Sequence, residues 1–147
     1  MPKEKPRVIP MISYEDGIAA LEWLAEAFGF LERTCLTQPD GSLSHGEMEA
    51  GDGLIMLTPT PAYESPKHHR QTCEKMQLWM EDPWIFDGVL IYVDHIDQHF
   101  KRAQAAGATI LSAIEDGPPG RGYRAEDLEG HRWFFIERVK PKISDLM

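Results

Sequence analysis

The fold of this chain is decided at residues 122–136, which read GYRAEDLEGHRWFFI. Two β-rich stretches flank a turn at Glu129-Gly130, a pattern that is typical of a β-hairpin. A third β-rich stretch precedes the hairpin, and residues 115–120, which lie between them, form a loop rich in glycine and proline. The sequence therefore predicts three consecutive strands, at Thr109–Ile114, Gly122–Glu126 and His131–Ile136.

A strand and a helix precede these three strands. The stretch Val89–Val93 is rich in β-branched residues, and apolar side chains from Ile96 to Ala103 then recur at helical spacing. Asp94 is a candidate N-cap, and Gly107 stands where a left-handed residue would end the helix. The second half of the chain therefore predicts the order strand, helix and three strands.

The first half of the chain repeats this order. An apolar stretch from Arg7 to Tyr14 precedes Asp16, a candidate N-cap, and Gly29 is expected to end the helix. Asp16 and Gly29 lie 13 residues apart, as do Asp94 and Gly107. An internal repeat of this kind indicates two copies of one module. Three further strands are predicted at Leu31–Thr37, Leu43–Ala50 and Leu54–Leu57.

A polar connection from Pro59 to Pro83 joins the two copies. Ser65-Pro66 predicts the start of a helix that runs through His69 to Trp79. Connections of this length are usually lids or irregular excursions. We therefore divide the chain into a first βαβββ module at residues 7–59, a connecting segment or lid at residues 60–84, and a second βαβββ module at residues 85–138.

The charge of the chain is strongly acidic, since 15 basic and 24 acidic residues give a net charge of -9. The ends carry +2 each, at residues 1–7 and 138–147, which leaves residues 8–137 at -13. An acidic body repels phosphate backbones, so we expect no nucleic acid partner. No apolar run reaches the length of a membrane span, and the first ten residues do not resemble a signal peptide. We expect a cytoplasmic protein with no membrane partner.

The two cysteines, Cys35 and Cys73, are too few for a disulfide scaffold or a structural zinc site. We expect both to be reduced and mostly buried.

Two tandem βαβββ modules, together with the turn from Asp127 to Trp133, resemble the vicinal oxygen chelate superfamily. This superfamily includes glyoxalase I, bleomycin-resistance proteins, fosfomycin-resistance enzymes and extradiol dioxygenases. The resemblance covers roughly residues 7–137 and rests also on Ile9-Pro10, on Phe28-Gly29-Phe30 and on His45-Gly46-Glu47-Met48 before Gly51-Asp52. It implies an α+β fold in which the two tandem modules form a curved sheet around a cleft, with the helices outside.

The third strand of the first module carries the strongest constellation of reactive side chains. Successive side chains of a strand point to opposite faces. Met48 and Ala50 suit the helix side, so His45, Glu47 and Glu49 are expected on the cavity side. A histidine and a carboxylate two residues apart can reach a common metal or share a proton near neutral pH.

The resemblance also implies where a metal would be bound. Metal-dependent members hold a divalent cation with one ligand from each of four strands, typically His or Gln, Glu, His and Glu. Carried over by spacing, these positions fall at Ile9, at or beside Glu47, at Gly88 and at Phe134. Only Glu47 has a side chain that binds a metal, so we expect no cofactor. The alternative is a divalent metal at a site rebuilt from His45, Glu47 and a lid residue, either His68 or His69.

The resemblance to bleomycin-resistance proteins therefore fits better, because those are acidic, metal-free dimers that sequester a cationic drug between protomers. We expect a homodimeric, metal-free protein that binds an aromatic or cationic antibiotic-like small molecule. The alternative is a metal-dependent glyoxalase-type lyase or dioxygenase that uses Glu47 with His45. His131 is expected to be structural and to pack against the helix. The predicted ligand-binding residues are His45, Glu47, Glu49, Met11, Ser13, Leu90, Tyr92 and Phe134 on strands, with Trp79 and Trp84 from the connection.

Overall fold

The computed structural model describes residues 8–83 and 87–138, so Trp84, residues 1–7 and residues 139–147 lie outside the described residues. The first module comprises β1 (Met11–Ser13), α1 (Gly17–Phe28), β2 (Leu31–Thr37), β3 (Leu43–Ala50) and β4 (Gly53–Thr58). The connection contains α2 (Pro66–His69) and α3 (Glu74–Met80). The second module comprises β5 (Gly88–Val93), α4 (Ile96–Ala105), β6 (Thr109–Glu115), β7 (Gly122–Glu126) and β8 (Arg132–Glu137).

Each module forms one four-stranded sheet with the same topology. The strand orders are β1-β4-β3-β2 and β5-β8-β7-β6, and the β1/β4 and β5/β8 pairs are parallel. The remaining pairs are antiparallel, as hairpin connections require. The predicted α+β fold with two tandem βαβββ modules is confirmed. None of the described helices is long and apolar enough to cross a membrane.

Helix α1 begins and ends where its sequence predicts. The Asp16 carboxylate accepts a hydrogen bond from the backbone N–H of Ala19 at 3.1 Å, as an N-cap does. Gly29 adopts a left-handed conformation with φ of 73°, and its N–H bonds to the carbonyl of Ala25 at 3.1 Å. These local signals therefore specify both ends of the helix.

Helix α4 begins differently from the prediction. Asp94 is not its N-cap, because His95 occupies that position with φ of 49° and makes no side-chain capping bond. The first N–H of the helix, that of Ile96, instead donates to Glu137 Oε2 at 2.9 Å. Since β8 lies parallel to β5, the end of β8 brings Glu137 beside the helix start. A tertiary contact therefore replaces the local cap.

The predicted single helix in the connection is wrong, because the chain forms two short helices. Ser65 caps α2 through a bond from the N–H of His68 at 3.2 Å, and α3 starts only after Cys73. Arg70, which lies between the helices, donates to both Glu126 oxygens at 2.9 and 3.1 Å. This ion pair draws the segment onto the second sheet.

The expectation of buried cysteines is also wrong, since Cys35 is exposed and Cys73 is half-buried.

The two modules share one aromatic core between the sheets. The ring of Phe28, at the end of α1, lies 4.7 Å from that of Phe135 and 5.8 Å from that of Trp133. Trp23 on the same helix donates its indole N–H to the carbonyl of Ala106, just after α4, at 2.9 Å. Residues of the first module therefore complete the core of the second.

A buried carboxylate joins the modules at this core. Asp127 is 2% exposed, and its Oδ2 accepts hydrogen bonds from Tyr14 at 2.6 Å and from the Trp133 indole at 3.1 Å. Its Oδ1 accepts from the backbone N–H groups of Glu129 and His131, both at 3.0 Å. Burial raises the pKa of Asp127, and the four donors offset the cost of removing its carboxyl group from water.

The turn that carries Asp127 also holds the entry to α1. Glu129 accepts hydrogen bonds from the N–H groups of Glu15 at 2.7 Å and Asp16 at 3.0 Å.

His131 does not pack against the helix as predicted. Its ring lies 4.8 Å from that of Tyr14, and its Nε2 donates to the carbonyl of Ser13 at 2.7 Å. His131 therefore packs against Tyr14 and the end of β1.

Removing donors from Asp127 should destabilise the protein. We expect Tyr14→Phe to lower the free energy of unfolding by about 1–3 kcal/mol, because the buried carboxylate loses one of its donors. Asp127→Ala should cost more, since it leaves the Tyr14 hydroxyl and the Trp133 indole buried without this acceptor. Urea denaturation measures both changes. Tyr92→Phe, which removes an exposed hydroxyl, is the matched control and should change stability by less than about 0.5 kcal/mol. Equal stability of Tyr14→Phe and wild type would contradict the assignment.

His99 should make stability depend on pH. Burial lowers the pKa of His99 from 6.5 to about 4, and its ring nitrogens face the Tyr123 hydroxyl at 2.6 Å and the Phe28 carbonyl at 3.1 Å. The unfolded chain therefore binds the proton first, and the stability that neutral His99 contributes is lost as pH falls from about 6.5 to 4. In urea denaturation, the stability difference between wild type and His99→Gln should shrink over this range. Substitution of the exposed His69 on α2 should not reproduce this trend, and a constant difference for His99→Gln would refute it.

Candidate functional site

The residues of β3 divide between two environments. Gly46, Met48 and Ala50 are buried on the side of α1, whereas His45, Glu47 and Glu49 are half-buried or exposed on the other side. The alternation of a strand explains this division. We call the side away from α1 the open face of the first sheet. It carries Met11, Ser13, His45, Glu47, Glu49 and Met56.

His45 and Glu47 form a polar pair on this face. His45 Nε2 lies 3.2 Å from Glu47 Oε1, and the Thr34 hydroxyl donates to Glu47 Oε2 at 3.2 Å. The hydrogen bond from His45 is the largest cause that lowers the pKa of Glu47. Glu49 is exposed two residues further along the same strand. The face therefore presents the Glu47 carboxylate, whose lowered pKa favours its ionised form, with Glu49 beside it.

The second sheet has a corresponding open face, on the side away from α4. Leu90 and Tyr92 of β5 lie on it, and Phe134 of β8 is the direct cross-strand partner of Leu90. Arg124 of β7 is the partner of Phe134, and its guanidinium carbon lies 4.1 Å from the centre of the Phe134 ring. The open face of the second sheet carries Leu90, Tyr92, Leu111, Arg124 and Phe134.

Arg124 was missed by sequence reasoning. The signal was present, because the neighbours of Arg124 on β7, Tyr123 and Ala125, are apolar, and alternation places the arginine on the opposite face. Its position is equivalent to that of Glu47 in the first module. Glu47 pairs with Met56 just as Arg124 pairs with Phe134.

Four of the predicted ligand-binding residues line cavities, whereas His45, Glu47, Glu49 and Tyr92 lie on the open faces outside the cavities described below. Leu90 and Phe134 line a cavity of about 220 Å³ together with Arg124. Met11 and Ser13 line a pocket of about 380 Å³ between the modules. Trp79 is half exposed on α3, outside the residues that line these two cavities.

A larger cleft of about 830 Å³ lies at the start of α1 and contains none of the predicted ligand-binding residues. Its lining includes Glu15, Asp16, Glu22 and Asp40.

Large apolar side chains are exposed on the open faces. The exposed fractions are 68% for Met11, 55% for Leu36, 45% for Leu90 and 47% for Tyr92. On the first sheet, Leu36 is the cross-strand partner of His45, so the exposed apolar side chains border the polar pair. Both open faces therefore carry exposed apolar side chains.

The strand registers identify which residue of the first module is equivalent to Phe134 of the second module. Phe134 of β8 pairs with Leu90 of β5, and Met56 of β4 pairs with Met11 of β1. Spacing along the sequence placed this position at or beside Glu47, but Glu47 lies one strand away, on β3. Within residues 8–83 and 87–138, no group of three or more His, Cys, Asp or Glu side chains is arranged to hold a metal ion.

Comparison with known proteins gives a family match over most of the chain. The sequence model of the Glyoxalase/Bleomycin resistance protein/Dioxygenase superfamily matches residues 10–135. An uncharacterized protein of Mycobacterium tuberculosis is 28% identical over 141 residues, which cover 92% of this chain and 76% of that relative.

Solved structures share the fold. TioX from Micromonospora sp. ML1 superposes with a TM-score of 0.65 at 25% identity, over 91% of this chain and 99% of that one. TnmS3, an antibiotic binding protein from Streptomyces sp. CB03234, gives 0.62 at 16% identity, over 89% and 93%. A bleomycin-binding protein from Streptomyces verticillus, complexed with copper(II)-bleomycin, gives 0.58 at 16% identity, over 95% and 100%.

The pair of His45 and Glu47 can be tested by titration. We expect the pKa of the Glu47 carboxyl group to lie below 4.5, and His45→Leu should raise it because the hydrogen bond from the imidazole is lost. Thr34→Val should raise it less, since the Thr34 hydroxyl makes the smaller contribution. Carbon-13 NMR of the carboxyl carbon against pH measures all three values. A Glu47 pKa that does not respond to His45→Leu would show that the two side chains are not paired.

Proposed function

The chain belongs to the glyoxalase/bleomycin resistance protein/dioxygenase superfamily, and we propose that it is a homodimeric protein that binds aromatic or cationic antibiotic-like small molecules without a metal. The proposal includes no nucleic acid partner and no membrane partner. The cytoplasm is its proposed location.

One observation carries the metal-free assignment, namely the identity of the side chains where the family's metal ligands fall. Carried over by spacing, these positions fall at Ile9, at or beside Glu47, at Gly88 and at Phe134, and Met56 is the residue of the first module whose strand register matches that of Phe134. Hydrocarbon side chains and glycine supply no donor atom, and a thioether is a poor ligand for hard or borderline cations such as Mn²⁺ and Zn²⁺. Glu47 with His45 supplies at most two ligands, which is too few for a tight site.

The chemistry of the open faces suits an aromatic or cationic ligand. Glu47 and Glu49 supply negative charge on the first sheet, and the net charge of the chain is -9. Tyr92 presents an exposed ring on the second sheet, where it can stack on a planar molecule or attract a cation, whereas Arg124 already lies over the Phe134 ring. Two of the similar structures are described as binding an antibiotic or bleomycin, which supports this class of ligand.

A homodimer accounts for the exposed apolar side chains. Met11, Leu36, Leu90 and Tyr92 would each be exposed to water in a single chain. A second copy that covers the open faces would bury this surface and enclose a ligand between two chains. Light scattering coupled to size exclusion should therefore give twice the chain mass of 16.7 kDa.

One observation favours a second function. Because His45 Nε2 lies 3.2 Å from Glu47 Oε1, the pair can move a proton, as a glyoxalase-type lyase or a dioxygenase that uses Glu47 with His45 would require. Elemental analysis of protein purified without a histidine tag separates the two functions. The binding function predicts no stoichiometric zinc, nickel, manganese or iron. Stoichiometric metal that is lost in Glu47→Ala would favour the enzyme instead.

Calorimetry with cationic and aromatic antibiotics, including bleomycin, tests the binding function. We expect at least one ligand to bind, and Glu47→Gln to weaken a cationic ligand about tenfold or more, because a charged hydrogen bond is lost. Tyr92→Ala should weaken an aromatic or cationic ligand through the loss of the ring. Glu26→Gln removes the same charge from the exposed surface of α1 and is the matched control. Failure of every ligand would remove the support for sequestration.

A further inference from the structure

The cavity on the second sheet differs in charge from the open face of the first. Its volume is about 220 Å³, and its described lining is Pro83, Gly88, Val89, Leu90, Leu111, Arg124, Arg132, Trp133 and Phe134. This lining contains two arginines and no acidic side chain, within a chain whose net charge is -9. The side chains of this lining are therefore opposite in charge to Glu47 and Glu49 on the first sheet.

One of the two arginines is held rigidly. Arg132 is 6% exposed and donates to Glu126 through Nε at 3.2 Å and Nη2 at 3.1 Å. It also donates to the backbone carbonyls of Met80 and Asp82, at the end of the connection. Arg132 therefore anchors the connection to the second sheet and forms a fixed wall of the cavity.

The carboxylate that neutralises Arg132 is shared with another arginine. Glu126 is 1% exposed and also accepts two bonds from Arg70. Two guanidinium groups therefore donate hydrogen bonds to the same buried carboxylate. Arg124 adds a further positive charge nearby, and both burial and the closeness of Arg132 lower its pKa. Both effects disfavour the charged form of Arg124, and an anion beside it would offset them.

The surroundings of Arg124 suit a planar anion attached to a ring. Its guanidinium carbon lies 4.1 Å from the centre of the Phe134 ring, while Leu90 and Leu111 supply apolar walls. Arginine binds carboxylates through a planar fork of N–H donors. The volume is below the range of about 300–1,000 Å³ for sites that hold a whole drug-sized ligand. The cavity therefore fits one end of a ligand.

We infer that Arg124 and Phe134 form a subsite for an aromatic carboxylate group of the bound ligand. The inference rests on the proposed binding function, because Leu90 and Phe134 line this cavity and are also among the predicted ligand-binding residues. Glu47 occupies the position of the first module that is equivalent to Arg124, so the internal repeat places opposite charges at matching points. A ligand that spans both open faces would carry a cationic group for Glu47 and a carboxylate for Arg124.

Two probes of the same shape test the subsite, 2-naphthoate and its neutral counterpart 2-naphthamide. Their dissociation constants can be measured by calorimetry or by protein NMR at constant ionic strength. Wild type should bind 2-naphthoate about tenfold more tightly than 2-naphthamide, since a charge-assisted hydrogen bond distinguishes them. In Arg124→Gln the ratio of the two dissociation constants should fall to about one, while 2-naphthamide still binds.

Two further variants complete the experiment. Arg124→Lys keeps the charge but not the planar fork, so it should retain part of the preference. Arg121→Gln removes an exposed arginine immediately before β7 and should leave the ratio unchanged. Because the ratio compares two probes on one protein, a variant that unfolds is recognised by the loss of both.

The outcomes separate this subsite from the wider function. Equal affinity of wild type for the two probes, a preference that persists in Arg124→Gln, or no binding of 2-naphthoate would each overturn the subsite. The antibiotic measurements stand apart from these results. If antibiotics bind but wild type shows no preference for the carboxylate, only the subsite is wrong. If the preference holds but no antibiotic binds, the subsite stands and the antibiotic class is wrong.

Discussion

The buried carboxylate of Asp127 is the constraint on which the rest of the structure depends. A carboxyl group at 2% exposure is costly unless hydrogen-bond donors surround it, and the chain supplies them from both modules. Tyr14 reaches it from the first module, while Trp133 and the turn backbone reach it from the second. Satisfying this group therefore requires the two modules to adopt one relative position. Glu129, on the same turn, then holds the entry to α1.

This arrangement determines which surfaces are left for a ligand. Packing Phe28 against Trp133 and Phe135 uses the helix-facing sides of both sheets for the shared core. The other sides, which carry His45, Glu47 and Phe134, are left for solvent or a partner. The repeat makes the two open faces equivalent in geometry, but Glu47 in one and Arg124 in the other make them opposite in charge. A site built from both would discriminate ligands by the placement of charge as well as by shape.

The elements that the sequence predicts correctly are those controlled by local chemistry. The bounds of β2, β3 and β7 agree with their predictions, because turn residues and strand alternation specify them within a few residues. The caps of α1 are also local. The start of α4 could not be predicted in this way, since its N–H is bound by Glu137 from another strand. The break between α2 and α3 depends likewise on the ion pair of Arg70 with Glu126.

The sequence by itself determined the repeat, the α+β class and the face of β3 that carries His45 and Glu47, because periodicity and turn chemistry act over short distances. Only the tertiary structure decided which side chains meet across strands. Register places Met56, and not Glu47, at the position that matches Phe134, and it seats Arg124 on the Phe134 ring. Cross-strand neighbours are far apart in the chain, so no local pattern specifies their contact.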